Sequence, residues 1–149
     1  MNRLNEWLTL AANIGVIAGL VFLGLEIQQN TTQLRANTSY SINDALAKIN
    51  APRYLDADFA DIWVRGLESL DNLDEVEKVR FESYAYDLVN LAVYVDKLEK
   101  QDLSDVHLDV VDLISRRIQD NPGLRAVLTS MKRNWAASEE LYTRLTDDR

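Results

Sequence analysis

The single histidine, His107, stands among Asp105, Asp109 and Asp112, a set of residue types that could hold a divalent metal or move protons. Their spacing argues against both. On a helix Asp105, Asp109 and Asp112 share a face at i, i+4 and i+7, whereas His107 points about 200° away from Asp105. An exposed acidic stripe is the simpler account. Di-iron bundles need paired Glu-x-x-His motifs, which one histidine cannot supply. No Gly-x-Ser-x-Gly elbow presents a serine nucleophile, and no glycine-rich loop could cradle phosphate. The chain has no cysteine, so thiolate metal sites, Fe–S clusters and thiol nucleophiles are excluded. With 24 acidic residues, some carboxylate pair is unavoidable and carries no information. The expectation is a non-enzyme with no cofactor and no metal.

The elements that carry these residues say more. The 149 residues suit one domain, with 47% hydrophobic and 27% charged residues, as in ordinary folded proteins. The net charge of −8 repels phosphate backbones, so no nucleic-acid partner is expected. Apolar residues are unevenly placed. From Trp7 to Leu25 the chain runs 19 positions without a charge, and Thr9 and Asn13 are its polar members. As a helix this run spans about 28 Å, close to a bilayer's hydrocarbon thickness of about 30 Å. Trp7 suits one interface, and Glu26, Gln28, Gln29 and Asn30 close the other. A cleaved signal peptide fits less well, because Leu25-Glu26-Ile27-Gln28 is a poor cleavage site. A buried core helix fits less well too, since a domain this small cannot cover an all-round apolar surface. The reading is a single-pass anchor with membrane lipid as partner. Arg3 and the terminal amine precede the run and Arg35 follows it, a balance that leans towards a cytoplasmic N-terminus and a periplasmic remainder.

Within the run, Ala11, Gly15 and Gly19 recur every four residues on one face. Gly15-x-x-x-Gly19 is the small-residue spacing that lets helix backbones approach in lipid, although glycine also serves as lipid-facing filler. Asn13 lies about 200° from Gly15, and an amide in hydrocarbon seeks a partner. Two used faces give each helix two neighbours. The chain is therefore expected to join itself as a homo-oligomer, or other subunits of a membrane complex. An oligomeric pore or membrane sensor, with Asn13 facing a lumen, and a small tethered enzyme are the alternatives.

Beyond the anchor (1–29), no glycine or proline occurs between Gly24 and Pro52. The helix is expected to continue as an extension over 30–51, with Leu34, Ile42, Ala45, Leu46 and Ile49 as a thin apolar stripe ended by Pro52. Asn30-Thr-Thr and Asn37-Thr-Ser match glycosylation sequons but read as polar helix surface. The remaining 52–149 reads as a helical bundle. A short helix carries Phe59, Ile62, Trp63 and Leu67, weakened at Gly66. A long helix over about 74–100 carries Val76, Val79, Phe81, Tyr84, Leu88, Leu91, Ala92, Val95 and Leu98. Ser104 or Asp105 could cap a third, with Val106, Val110, Val111, Ile114 and Ile118. Asn121-Pro122 reads as N-cap and first residue of a fourth. Ser138 starts a last short helix to about Leu145. No stretch alternates as a strand, so the class is all-α.

Two electrostatic expectations follow. Arg65 and Asp87 sit among apolar residues and form the candidate buried polar pair. Between Asp56 and Asp112 there are sixteen acids against five bases, whereas from Leu113 onward seven bases, Arg116, Arg117, Arg125, Lys132 and Arg133 among them, outnumber five acids. Such asymmetry either staples the bundle internally or docks one protomer on another.

The run from Trp7 to Asn30, with Ile62-Trp63-Val64-Arg65-Gly66-Leu67, Val79-Arg80-Phe81 and Asn121-Pro122-Gly123, resembles a group of small bacterial proteins of unknown function. The resemblance covers most of the chain, and its motifs are hydrophobic and structural. It implies a bacterial, single-span, all-helical protein of the inner membrane, and transfers no catalytic residue.

Overall fold

A computed structural model describes residues 2–103, 110–132, 135 and 137–147. Among them six helices and one short 3₁₀ turn account for all regular structure, without a strand. Helix α1 (Asn2–Leu55) is 54 residues long, about 81 Å at 1.5 Å per residue. With no glycine or proline from residue 25 to 51, nothing interrupts its ladder. The hydroxyls of Thr9, Thr31 and Thr32 donate to the carbonyls of Asn5, Ile27 and Gln28 four residues back, at 2.9, 2.9 and 3.0 Å, so these polar side chains are satisfied within the helix. Pro52 does not end it. It falls in the last turn, where a missing N–H costs one bond close to the fraying end.

Asp56 separates α1 from α2 (Ala57–Glu68) and caps the latter by accepting from the Phe59 N–H at 3.0 Å. After the 3₁₀ turn (Leu70–Asn72), Asp74 and Glu77 form a reciprocal capping box, at 2.8 and 2.9 Å, that opens α3 (Glu75–Lys100). Helix α3 ends in a Schellman turn. The Leu103 N–H donates to Leu98 O and the Asp102 N–H to Glu99 O, both at 3.0 Å, with Asp102 left-handed at φ 55°. Helices α4 (Val110–Asp120), α5 (Pro122–Met131) and α6 (Glu139–Thr146) complete the bundle.

The core is one cluster centred on Phe81, Leu88, Ala92, Val111, Leu128 and Leu141. It includes Ile42, which is fully buried, with Ala45, Leu46 and Ile49 packed against it. The C-terminal third of α1 therefore belongs to the bundle, and a division at residue 52 places the boundary too late. The stripe is thin because only one face of α1 meets the bundle, against α2 and α3. The Arg35 guanidinium meets Asp102 beyond the end of α3, whereas Lys48 and Pro52 line a groove with Ser83 and Tyr84 near its start. Helix α3 thus runs antiparallel to α1 and returns towards the apolar run.

Three local expectations change. Val76 and Val79 are exposed, at 70% and 63%, because they lie about 140° and 200° round α3 from fully buried Phe81. Asn121 holds the N-cap position of α5 without a side-chain cap; its amide instead donates to Arg117 O at 2.6 Å, satisfying a carbonyl at the end of α4. Gly66, expected only as a weak point of α2, is a steric requirement. It makes room, since a Cβ there would lie 2.4 Å from the Phe81 ring. The Ser104 or Asp105 cap and Val106 fall outside the described residues.

Candidate functional site

The apolar part of α1 stands clear of the bundle. Its most apolar 18-residue window has a mean hydropathy of 2.2 and no residue buried. Leu8, Ile14, Ile17, Val21 and Phe22 are each about 60% exposed or slightly more. One helix is thus long and apolar enough to cross a membrane. Burial in this bundle is not what its composition serves. Ala11, Asn13, Gly15 and Gly19 are all exposed, and a Cβ built on Gly15 or Gly19 meets nothing within 4 Å. These glycines make room for nothing inside the chain, in contrast to Gly66.

Arg65 does not pair with Asp87. Its guanidinium donates to both carboxylate oxygens of Glu77 at 2.7 and 3.0 Å, to Asp61 at 2.8 Å and to the Asn72 carbonyl at 2.6 Å. One side chain thus ties together α2, the 3₁₀ turn and the start of α3. Asp87 lies exposed on the groove rim, because the apolar residues beside it, Leu88 and Leu91, point into the core on another face. The fork held by Arg65, with the Asp74 N–H, pulls Glu77 down to about 2, and the two carboxylates raise Arg65. This is a structural tie with no open position for a substrate.

The acidic and basic halves meet inside the molecule. Arg144 on α6 reaches Asp112 on α4 at 3.2 Å and Glu99 on α3 at 3.5 Å. Lys100 reaches Asp96 at 3.0 Å and Glu140 at 3.3 Å, and Asp96 is the main reason its pKa is raised. Stapling by Arg144 therefore uses part of the asymmetry, whereas Lys100, a base of the acidic stretch, bridges to Glu140 in the opposite sense. Asp112, placed by sequence beside His107, is one of these staples. His107, Asp105 and Asp109 lie outside the described residues, among which no three metal-ligating side chains converge.

A second polar cluster escapes sequence reasoning. Arg53, in the last turn of α1, lies 5.5 Å over the Trp63 ring and donates to Asn50. The Trp63 ring packs at 60° to that of Tyr84, with centroids 4.6 Å apart, and Tyr84 is 6% exposed. The buried Nε of Arg53 and hydroxyl of Tyr84 meet no partner at full hydrogen-bond geometry, and the Arg53 side chain lies close enough to the Tyr84 hydroxyl to bond it weakly. Arg117, half-buried on α4, is close enough to act on both. Burial and then Arg53 lower its pKa, while burial raises that of Tyr84 against the pull of the two arginines. Neither arginine has a carboxylate partner among the described residues. On one side of Tyr84 opens a groove of about 540 Å³, floored by Ile49, Pro52 and Phe59 and rimmed by Lys48, Arg80 and Asp87.

Comparison with protein-family models, with curated proteins and with solved structures finds no match.

Proposed function

We propose that this is a single-pass membrane protein whose work is assembly, as a homo-oligomer or as an accessory subunit of a membrane complex. The observation that carries the reading is the wholly unburied apolar segment of α1, continuous with a helix whose far end is locked into the bundle core. Such a surface is costly in water and stable in lipid, at about 25 cal/mol per Å² of apolar area removed from water. Open Gly15 and Gly19 on one face, and exposed Asn13 on another, supply the small and polar residues by which helices associate where no water is left to exclude. Arg3 and the terminal amine against Arg35 favour a periplasmic bundle, and the bacterial inner membrane rests on the resemblance given above.

The test is an alkaline wash of membranes from cells expressing the full chain, followed by the mass of the detergent-extracted particle. Retention in the pellet and a particle of more than one chain are the expected results. Release by the wash would overturn the anchor, and a monomer without copurifying subunits would overturn the assembly role.

A further inference from the structure

We infer that the groove between α1 and α3 is a binding site for a small organic cation, an ammonium group on an aryl or alkyl body, with Asp87 as its counter-ion. The groove's volume of about 540 Å³ falls within the range of roughly 300–1,000 Å³ typical of small-molecule sites. Ile49 and Pro52 of α1, Phe59 of α2, and Val79 and Tyr84 of α3 give it hydrocarbon walls. Val79 is 63% exposed, so the bundle's own packing leaves this wall in water, where an apolar ligand body would cover it.

The rim decides the sign of the ligand. Lys48 is bridged to Asp44 at 2.7 Å and Arg80 to Asp56 at 2.7 Å, and the Arg80 guanidinium also lies 5.5 Å over the Phe59 ring. Each cation thus already has its own carboxylate. Asp87 is exposed, and no ion pair or hydrogen bond engages it among the described residues. What remains is one negative charge beside an apolar wall, which complements a positive head on a hydrophobic body and disfavours an anion. The wider field has the same sign. The stretch from Asp56 to Asp112, which supplies α2 and α3, carries sixteen acids against five bases, and such a field concentrates cations at the groove mouth. The ligand's source is the surrounding solution. Lys48 lies about 35 Å along α1 from Leu25, too far for the headgroups of a membrane that the uncharged run would enter. The site stands whether or not α1 spans that membrane.

The test is isothermal titration of the full chain at neutral pH in non-ionic detergent, with protein-free micelles as the blank. Phenethylammonium, phenethyl alcohol and 3-phenylpropanoate are the probes, since they share one body and differ in charge. Phenethylammonium should bind saturably, with a Kd about tenfold below that of the alcohol, and 3-phenylpropanoate should bind most weakly. Asp87→Asn should erase the preference for the cation while the alcohol binds as before. Ser83→Trp, an exposed position on the α3 wall, should fill the groove and abolish binding of all three. Asp71→Asn removes the same charge at an exposed position off the groove and should bind as wild type. Equal affinity for the cation in wild type and Asp87→Asn, an equal loss in Asp71→Asn and Asp87→Asn, or no heat above the blank would overturn the site. A smaller particle for Ser83→Trp than for wild type would put a second copy of the chain in the groove and overturn the small-molecule ligand.

Discussion

Gly123, in the first turn of α5, lies against the backbone carbonyl of Gly66 in α2, so close that a Cβ on Gly123 would stand 1.7 Å from the Gly66 oxygen. Two helices meet there backbone to backbone, and neither can recoil easily. A Cβ on Gly66 would in turn strike the ring of Phe81, which is fully buried. Gly123→Ala must therefore separate α2 from α5, and Gly66→Ala must displace a core aromatic. Each is expected to lower stability by about 1–3 kcal/mol, the range for overpacking a close-packed interior. The two clashes fall at different contacts of α2, with α5 and with Phe81 of α3, so relief of one leaves the other and the double variant should cost more than either single one. Urea midpoints of the four proteins check this.

Acid should weaken the tie between α2 and α3. Glu77 titrates at about 2 in the folded protein, chiefly because Arg65 grips it, against an ordinary value of 4.5. A depressed carboxylate pKa gives stability that is present above about pH 5 and is lost as pH falls from there towards 2. Glu77→Gln keeps the capping-box geometry without the charge, and should flatten this limb of a stability–pH curve measured by urea unfolding. A residual slope should remain from Asp56, which the Phe59 N–H and Arg80 also lower.

Truncation should distinguish anchor from fold. A chain starting at Gln29 keeps Ile42, Ala45, Leu46 and Ile49, and is expected to fold and to leave the membrane. A chain starting at Pro52 loses them all and should give no cooperative unfolding transition. Ile42→Ala in the chain starting at Gln29 is expected to cost about 2–5 kcal/mol, the usual range for a fully buried isoleucine. Circular dichroism during heating is the measurement.

Replacing Gly15 and Gly19 together by isoleucine should reduce the particle to smaller species while circular dichroism stays unchanged, because no atom of the bundle lies within 4 Å of either glycine's Cβ position. Asn13→Leu should weaken association less, by roughly 0.5–2 kcal/mol per interhelical hydrogen bond lost. Native mass in mild detergent reads both.

The helices were legible because their signals are local. Asp74 with Glu77, Asp56 before Phe59 and Ser138 before Leu141 cap where side-chain chemistry says they should. What could not be read is what distance along the chain conceals. Nothing in the sequence around Arg65 distinguishes Asp87 from Glu77 as its partner; the turn at Leu70–Asn72, which folds α3 back along α2, decides it. Of the two glycines whose absence of side chain matters inside the bundle, Gly66 reads as a weak point of a helix and Gly123 as nothing in particular, since close approach of α2 and α5 is a tertiary fact. The Arg53–Tyr84–Arg117 cluster did leave a trace, a charge at an apolar position in each of two registers. That trace becomes meaningful only when α1 and α4 are seen to bring both charges to the same tyrosine.

The unbroken course of α1 has a mechanical consequence. Its exposed stretch from Gln28 to Gln33 holds no glycine or proline at which to bend, and the segment after it is clamped by Ile42 and by Arg35 against Asp102. Were residues 7–25 in lipid, the bundle would be fixed to the span like a flag to a pole. Leaning the span by about 20°, an ordinary transmembrane tilt, would swing Arg53 sideways by about 14 Å. Changes in bilayer thickness or in helix packing around Gly15 and Gly19 would therefore reach the outer end of the molecule as displacement, with no conformational change inside the bundle.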